Sequence, residues 1–217
     1  MFGKGHCAPF SLHIPAIRHD FKVLAFTGTE AISQLYAFRI ELVSEYADFD
    51  LESLLSQPAF LQFGLAGEGI HGRIENVMLG ESGKRLTRYE LSVVPALHYL
   101  QMSHDQRIFQ QLTVPQIIAQ VLKGHGIQAD DFTFNVAAGE PREYCTQYGE
   151  SDFLFIQRLC AEEGIAWHHQ HSLDRHLLVF SDSPVFARKL GTTPFRVDSG
   201  MVAEHSVVNH LSLGFHT

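Results

Sequence analysis

The densest concentration of chemistry-capable side chains in this sequence is a histidine group, His168, His169, His171 and His176, drawn from fourteen histidines in 217 residues. Residues two apart on a strand share a face, so His169 and His171 present neighbouring imidazoles. Such a pair can begin a zinc or nickel site, with His176, across a hairpin, as a candidate third ligand. No nearby motif supplies a metal-bound water or a general base, and His-Glu-x-x-His and His-x-x-Glu-His are both absent. The expected role of the group is therefore a polar, exposed strand end. A metal-dependent enzyme built on His168 to His176 is the least favoured reading.

A second candidate is the carboxylate set Glu150, Asp152, Glu162 and Glu163, which could supply an acid–base pair. The surrounding elements account for it differently. Tyr144, Thr146 and Tyr148 alternate with Cys145 and Gln147, a strand pattern that Arg142 opens. Ser151 is placed to cap a helix, and Asp152 puts negative charge at the positive end of its dipole. Phe153, Ile156, Leu159 and Cys160 follow at spacings of three and four and share one apolar face. Gly164 suits the left-handed position that ends many helices. Glu162 and Glu163 sit where acidic charge is mildly unfavourable, leaving room for a cation from another strand or subunit. The expectation is a structural motif carried by Arg142, Tyr144, Tyr148, Ser151, Asp152, Phe153, Leu159 and Gly164, with no catalytic residue.

Three cysteines, Cys7, Cys145 and Cys160, with no C-x-x-C, read as reduced thiols rather than a nucleophile or a disulfide framework. Gly3-x-Gly5 and Gly67-x-Gly69 lack nucleotide-binding spacing, and no serine sits in Gly-x-Ser-x-Gly. No cofactor is expected. A formal net charge of −8 argues against nucleic acid as partner. No apolar run approaches the ~20 residues of a membrane span, and residues 1–18 lack a secretory apolar core.

The elements that must position these groups are mostly strands. Phe10 to Ile17 reads as an edge strand between prolines. Lys22 to Thr27 ends at Gly28, and Tyr36, Phe38, Ile40 and Leu42 alternate cleanly with polar neighbours. Asp50 can cap a short helix over Leu51 to Leu55. Ala59 to Ala66, Ile70 to Leu79 and Leu86 to Val94 follow, with turns at Gly67 to Gly69 and Gly80 to Gly83. Thr113 and Gln116 have capping-box spacing before a helix stopped at Gly124. Phe132 and Phe134 begin another strand, and Leu177 to Thr217 returns to strand-like sequence.

Several segments, in order, resemble the N-terminal part of the valine–glycine repeat (VgrG) spike proteins of type VI secretion. They are Phe26-Thr27-Gly28-Thr29-Glu30, Phe38 to Ser44, His71-Gly72-Arg73-Ile74, Arg107 to Gln110, Val114 to Ile118, and above all Arg142 to Ile165. That family is similar to phage baseplate hub and late-control proteins. The resemblance implies a mainly β fold of two antiparallel barrel-like tube domains with a few short helices. Residues 1–104 would form the first, with 196–217 a candidate to complete it. Residues 105–195 would form the second, with helices near 114–123 and 152–163. The family's oligosaccharide/oligonucleotide-binding-type barrel and β-helical needle are not expected within these residues. The implied role is that of a hub joining a hexameric inner tube to a trimeric needle and transmitting contractile force. A contractile phage-tail or tailocin hub is the alternative. Implied partners are two further copies of the chain, inner-tube and baseplate proteins, a spike-tip protein and effectors. The implied route is assembly in the cytoplasm and export without a signal peptide.

Overall fold

A computed structural model describes residues 10–17, 21–46, 49–63, 67–83, 85–137 and 139–183. Six strands come first: β1 (Phe10–His13), β2 (Lys22–Thr29), β3 (Ala37–Ser44), β4 (Pro58–Phe63), β5 (Gly69–Ser82) and β6 (Thr87–Val94). They form one antiparallel sheet in the order β1-β4-β5-β6-β3-β2. Alternation drives its closure: Phe38, Ile40 and Leu42 of β3 point inward while Ala37, Arg39 and Glu41 point out. Their partners inside are Tyr36, Leu61, Ile74, Leu91 and Val93, all essentially inaccessible to water. Register shifts between Val23 and Ala25, Ile74 and Asn76, and Leu79 and Ser82 curl the sheet. The two edge strands approach each other, with the Phe10 and Phe26 rings 5.2 Å apart, edge to face. The result is a nearly closed barrel.

Some boundaries differ from the sequence expectation. β2 continues through Gly28 to Thr29, and β5 continues past Leu79 to Ser82. Gly28 stays in register opposite Phe38 and Gly80 falls in the bulge between Leu79 and Ser82, and the turn falls instead at Gly83, whose N–H donates to Leu86 O. The helix expected over Leu51 to Leu55 is a single 3-10 turn, Glu52–Leu54.

The second unit comprises β7 (Arg107–Leu112), α1 (Val114–Gly124), β8 (Phe132–Asn135), β9 (Arg142–Gln147), α2 (Asp152–Glu162), β10 (Ala166–His171) and β11 (His176–Ser181). β7 and β9 form an antiparallel ribbon; β10, β11 and β8 form a sheet. The β11–β8 pairing is parallel, a departure from the antiparallel arrangement that the resemblance implied for this unit. Both helices cover one apolar core. Ile117, Ile118, Val121 and Leu122 of α1 meet Phe155, Ile156 and Leu159 of α2 around Trp167, Phe180 and Leu178. Gln116 Oε1 accepts from the Thr113 N–H at 2.9 Å at the start of α1. The helix ends at Gly124 as expected, while the left-handed conformation falls two residues later at Gly126, φ +76°. The segment 196–217, and Cys7, lie outside the described residues.

Candidate functional site

The two units meet along a buried seam, and the histidine group lies in it rather than at an exposed strand end. Ser33, in the turn between β2 and β3, holds a left-handed φ of 57°. Its N–H donates to Trp167 O at 2.7 Å, its Oγ accepts from the Trp167 N–H, and its carbonyl accepts from the Gln157 side chain. Every polar atom of Ser33 therefore serves the second unit. Tyr36, fully buried, donates its hydroxyl proton to His71 O at 2.6 Å and packs edge-on against His169 and His171. His71 comes from β5; His169, His171 and His176 come from the β10–β11 hairpin, where His171 and His176 pair directly.

These rings form a directed hydrogen-bond chain that fixes their tautomers. The Ala96 N–H donates to His176 Nε2 at 3.0 Å. A neutral imidazole with one accepting nitrogen carries its proton on the other. His176 Nδ1–H thus donates to His71 Nδ1 at 2.9 Å. The His71 backbone N–H donates to His171 Nδ1 at 3.1 Å, leaving His171 Nε2–H to donate to Glu30 Oε1 at 3.0 Å. The His71–His176 contact joins nitrogen to nitrogen. Among the described residues no group of three or more His, Cys, Asp or Glu side chains is arranged to hold a metal ion. His168, whose neighbour His169 turns inward, is only half-buried and adds no ligand.

Burial lowers three of these imidazoles. His169 falls to about 3 through burial, then the charges of His171 and His168. His176 falls to about 2 through burial, then His169, His71, His171 and Arg73. His71 falls to about 4 through burial, then His171 and Arg73, with Asp174 opposing. All three are neutral near pH 7. A cleft of about 610 Å³ runs beside them, bordered by Arg73, Tyr99, Asp174 and Arg175.

The four carboxylates are each held by cations or amides of neighbouring elements. Asp152 is not simply an end charge: it is buried, bonded to Arg107 at 2.5 Å, to Gln147 Nε2 at 2.7 Å and to His125 Nε2. Arg142 of β9 is the cation that the end of α2 required, reaching Glu162 at 2.7 Å and Glu163 at 2.6 Å. Glu150 pairs with Arg158 at 2.6 Å. Cys160 faces the core, and burial pushes its thiol up to about 12, which leaves it inert. Ser151 Oγ accepts from the Leu154 N–H at 3.2 Å, and Gly164 follows the helix at φ +65°. Ser151→Ala is expected to cost about 1 kcal/mol, the usual loss for a cap, read as a lowered Tm with unchanged far-ultraviolet circular dichroism. Phe153 and Leu159 are buried, whereas Tyr144 and Tyr148 project outward. With Ile108 and Leu154 they leave an apolar outer surface around the β7–β9 ribbon.

Sequence reasoning missed Ser33, His71, Arg107, His125 and Gln147. Each acts across a long stretch of chain and carries no local pattern; only the motifs containing His71 and Arg107 drew notice.

A near-closed antiparallel barrel docked through a polar seam onto a second β unit defines a protein of the baseplate-hub class. The chain belongs to the phage tail baseplate hub (GPD) family, whose model matches residues 29–217. It is 51% identical to the type VI secretion system spike protein VgrG4b of Pseudomonas aeruginosa, over 98% of this chain and 27% of that protein. It is 49% identical to VgrG5 of the same organism, over 100% of this chain and 28% of that one. Among solved structures it is similar to the Escherichia coli c3393 protein, a component of the type VI secretion system, with TM-score 0.78 and 28% identity. That match covers 87% of this chain and 52% of the other. The chain thus spans about a quarter of the length of the curated relatives it matches.

Proposed function

We propose that this chain is the hub portion of a type VI secretion spike, joining a hexameric inner tube to a trimeric needle and passing contractile force between them. The observation that carries this reading is the 51% identity to a spike protein along nearly the whole chain. The architecture suits it. Two β units fastened by buried hydrogen bonds resist sliding, and in a trimer they would give six similar walls to face a sixfold tube. Residues 1–104 and 105–195 are the proposed units. Arg142, Tyr144, Tyr148, Ser151, Asp152, Phe153, Leu159 and Gly164 form the brace of the second, a structural rather than catalytic role. No cofactor is required. Other partners would be baseplate and spike-tip proteins and effectors, and the route would be cytoplasmic assembly followed by export without a signal peptide.

The same family accommodates a phage-tail or tailocin hub, but the identity to spike proteins favours secretion. The test is light-scattering mass measurement of the full-length protein, followed by capture with purified inner-tube protein. A trimer that retains tube protein is expected. A monomer that ignores it overturns the proposal.

A further inference from the structure

We propose that the seam between the two β units is an acid-sensitive joint, fastened while its imidazoles are neutral and released when they take up protons. The geometry demands neutrality. In the chain from Ala96 to Glu30, His176 and His171 each use one ring nitrogen as donor and the other as acceptor, and His71 accepts through Nδ1. A proton added at His176 Nε2 would face the Ala96 N–H. One added at His71 Nδ1 would face His176 Nδ1–H. One added at His171 Nδ1 would face the His71 backbone N–H. Every such event removes a bond between the units and sets donor against donor.

The charges around the cluster reinforce this. Arg73, also on β5, borders the cleft beside His71 and His176 and opposes further positive charge. His168 and His169 of β10 contribute imidazoles rather than anions. Tyr36, just before β3, is held neutral, its hydroxyl well above the usual value through burial and then Glu30. Two carboxylates oppose the trend: Asp174, in the β10–β11 turn, favours charge on His71, and Glu30 accepts from His171. His71 and His176, bonded to each other and to the Ala96 N–H, are the groups that release the joint. The cleft beside both rings gives water a path to them.

The sign follows from linkage. An imidazole lowered from an ordinary value of about 6.5 binds fewer protons docked than undocked throughout the interval between its two values. Docking strengthens as pH rises and weakens as pH falls below about 6.5. With His71, His169 and His176 lowered to about 4, 3 and 2, the loss continues to pH 4 and below. Two protons taken up on opening would weaken docking roughly 100-fold per pH unit.

The single tryptophan reports on the seam directly. Trp167 is buried, bonded to Ser33 and edge-on to His169 at 5.8 Å. The experiment follows Trp167 emission and amide hydrogen exchange of the intact chain from pH 7.5 to 4.5, with exchange corrected for its intrinsic pH dependence. A red shift is expected below about pH 6, with faster exchange at Ala96 and His71, while amides at Ile40 and Ile118, inside the two units, stay protected. A H71N/H176Q variant, whose amide oxygens accept without titrating, should open at lower pH. Three results would overturn the proposal. One is a pH-independent seam in the wild-type chain. Another is loss of protection at Ile40 and Ile118 together with the seam. The third is a folded variant that opens at the wild-type pH.

Discussion

Asp152→Ala is expected to lower the unfolding free energy by about 3–5 kcal/mol, the range for removing one partner of a buried ion pair, as read in guanidinium titrations. Asp152 is 2% exposed at the first turn of α2. Its N–H donates to Ser103 O at 2.8 Å, and its carboxylate gathers Arg107 from β7, Gln147 from β9 and His125 from the end of α1. Alanine would remove the buried acceptor that joins these three donors, although Arg107 keeps Asp105 and Gln147 Oε1 and Gln147 keeps Glu150 O. Burial alone would raise its pKa, but hydrogen bonds from Gln147 and His125, with the charges of Arg107 and His125, hold it below the ordinary range. The stability it contributes is present above about pH 4, the unfolded carboxylate value, and is lost as pH falls through the lower folded value. That window begins below the onset of seam opening, so the two acid effects differ in onset although both extend below pH 4. A midpoint unchanged from wild type would show that the Arg107 and His125 contacts carry no net stability.

Phe155→Ala is expected to cost about 3–5 kcal/mol as a large-to-small core change. Phe155 is completely inaccessible, stacks on Phe109 at 5.7 Å and 17°, and lies under the Arg158 guanidinium at 5.3 Å. Its removal opens a cavity between α2 and the ribbon. Leu154→Ala, one residue earlier and 56% exposed, should stay within about 0.5 kcal/mol. Near-equal effects in denaturant titrations would mean that the helix is rotated from the orientation described.

The contrast between these neighbours shows where the sequence was legible. Spacings of three and four from Phe153 identified Ile156, Leu159 and Cys160, all buried. Phe155 falls off that strict pattern, yet the helix is covered on two sides, by the core and by the ribbon, which widens its buried face. Period-two alternation located β3 almost to the residue because one face meets the barrel interior and the other meets water. Glycine positions were less informative: Gly28 and Gly80 sit inside strands whose ladder bonds outlast them. The seam was the least legible part. His169 and His171 do share a face, as their spacing implied, but burial of that face depends on Ser33, Tyr36 and His71 from the other unit. No local pattern encodes a surface that exists only after two separately built units meet. The salt bridges from Arg142 were foreseen as a need at the end of α2, not as a particular partner, for the same reason.

The long sequence separation across the seam sets an order of assembly. The described strands of the barrel end at Val94, whereas His71 bonds to residues 100 and 105 positions further along the chain. The β8–β11 pairing likewise waits for β11. At ~5–20 residues per second of synthesis, the barrel can stand folded for roughly 5–20 s before its mate exists. An apolar docking face would be adhesive throughout that delay, open to neighbouring nascent chains. A face built on imidazole and backbone amides can be wetted while it waits and dried when its partner arrives. The histidines of the seam would in this way protect the protein during its own manufacture.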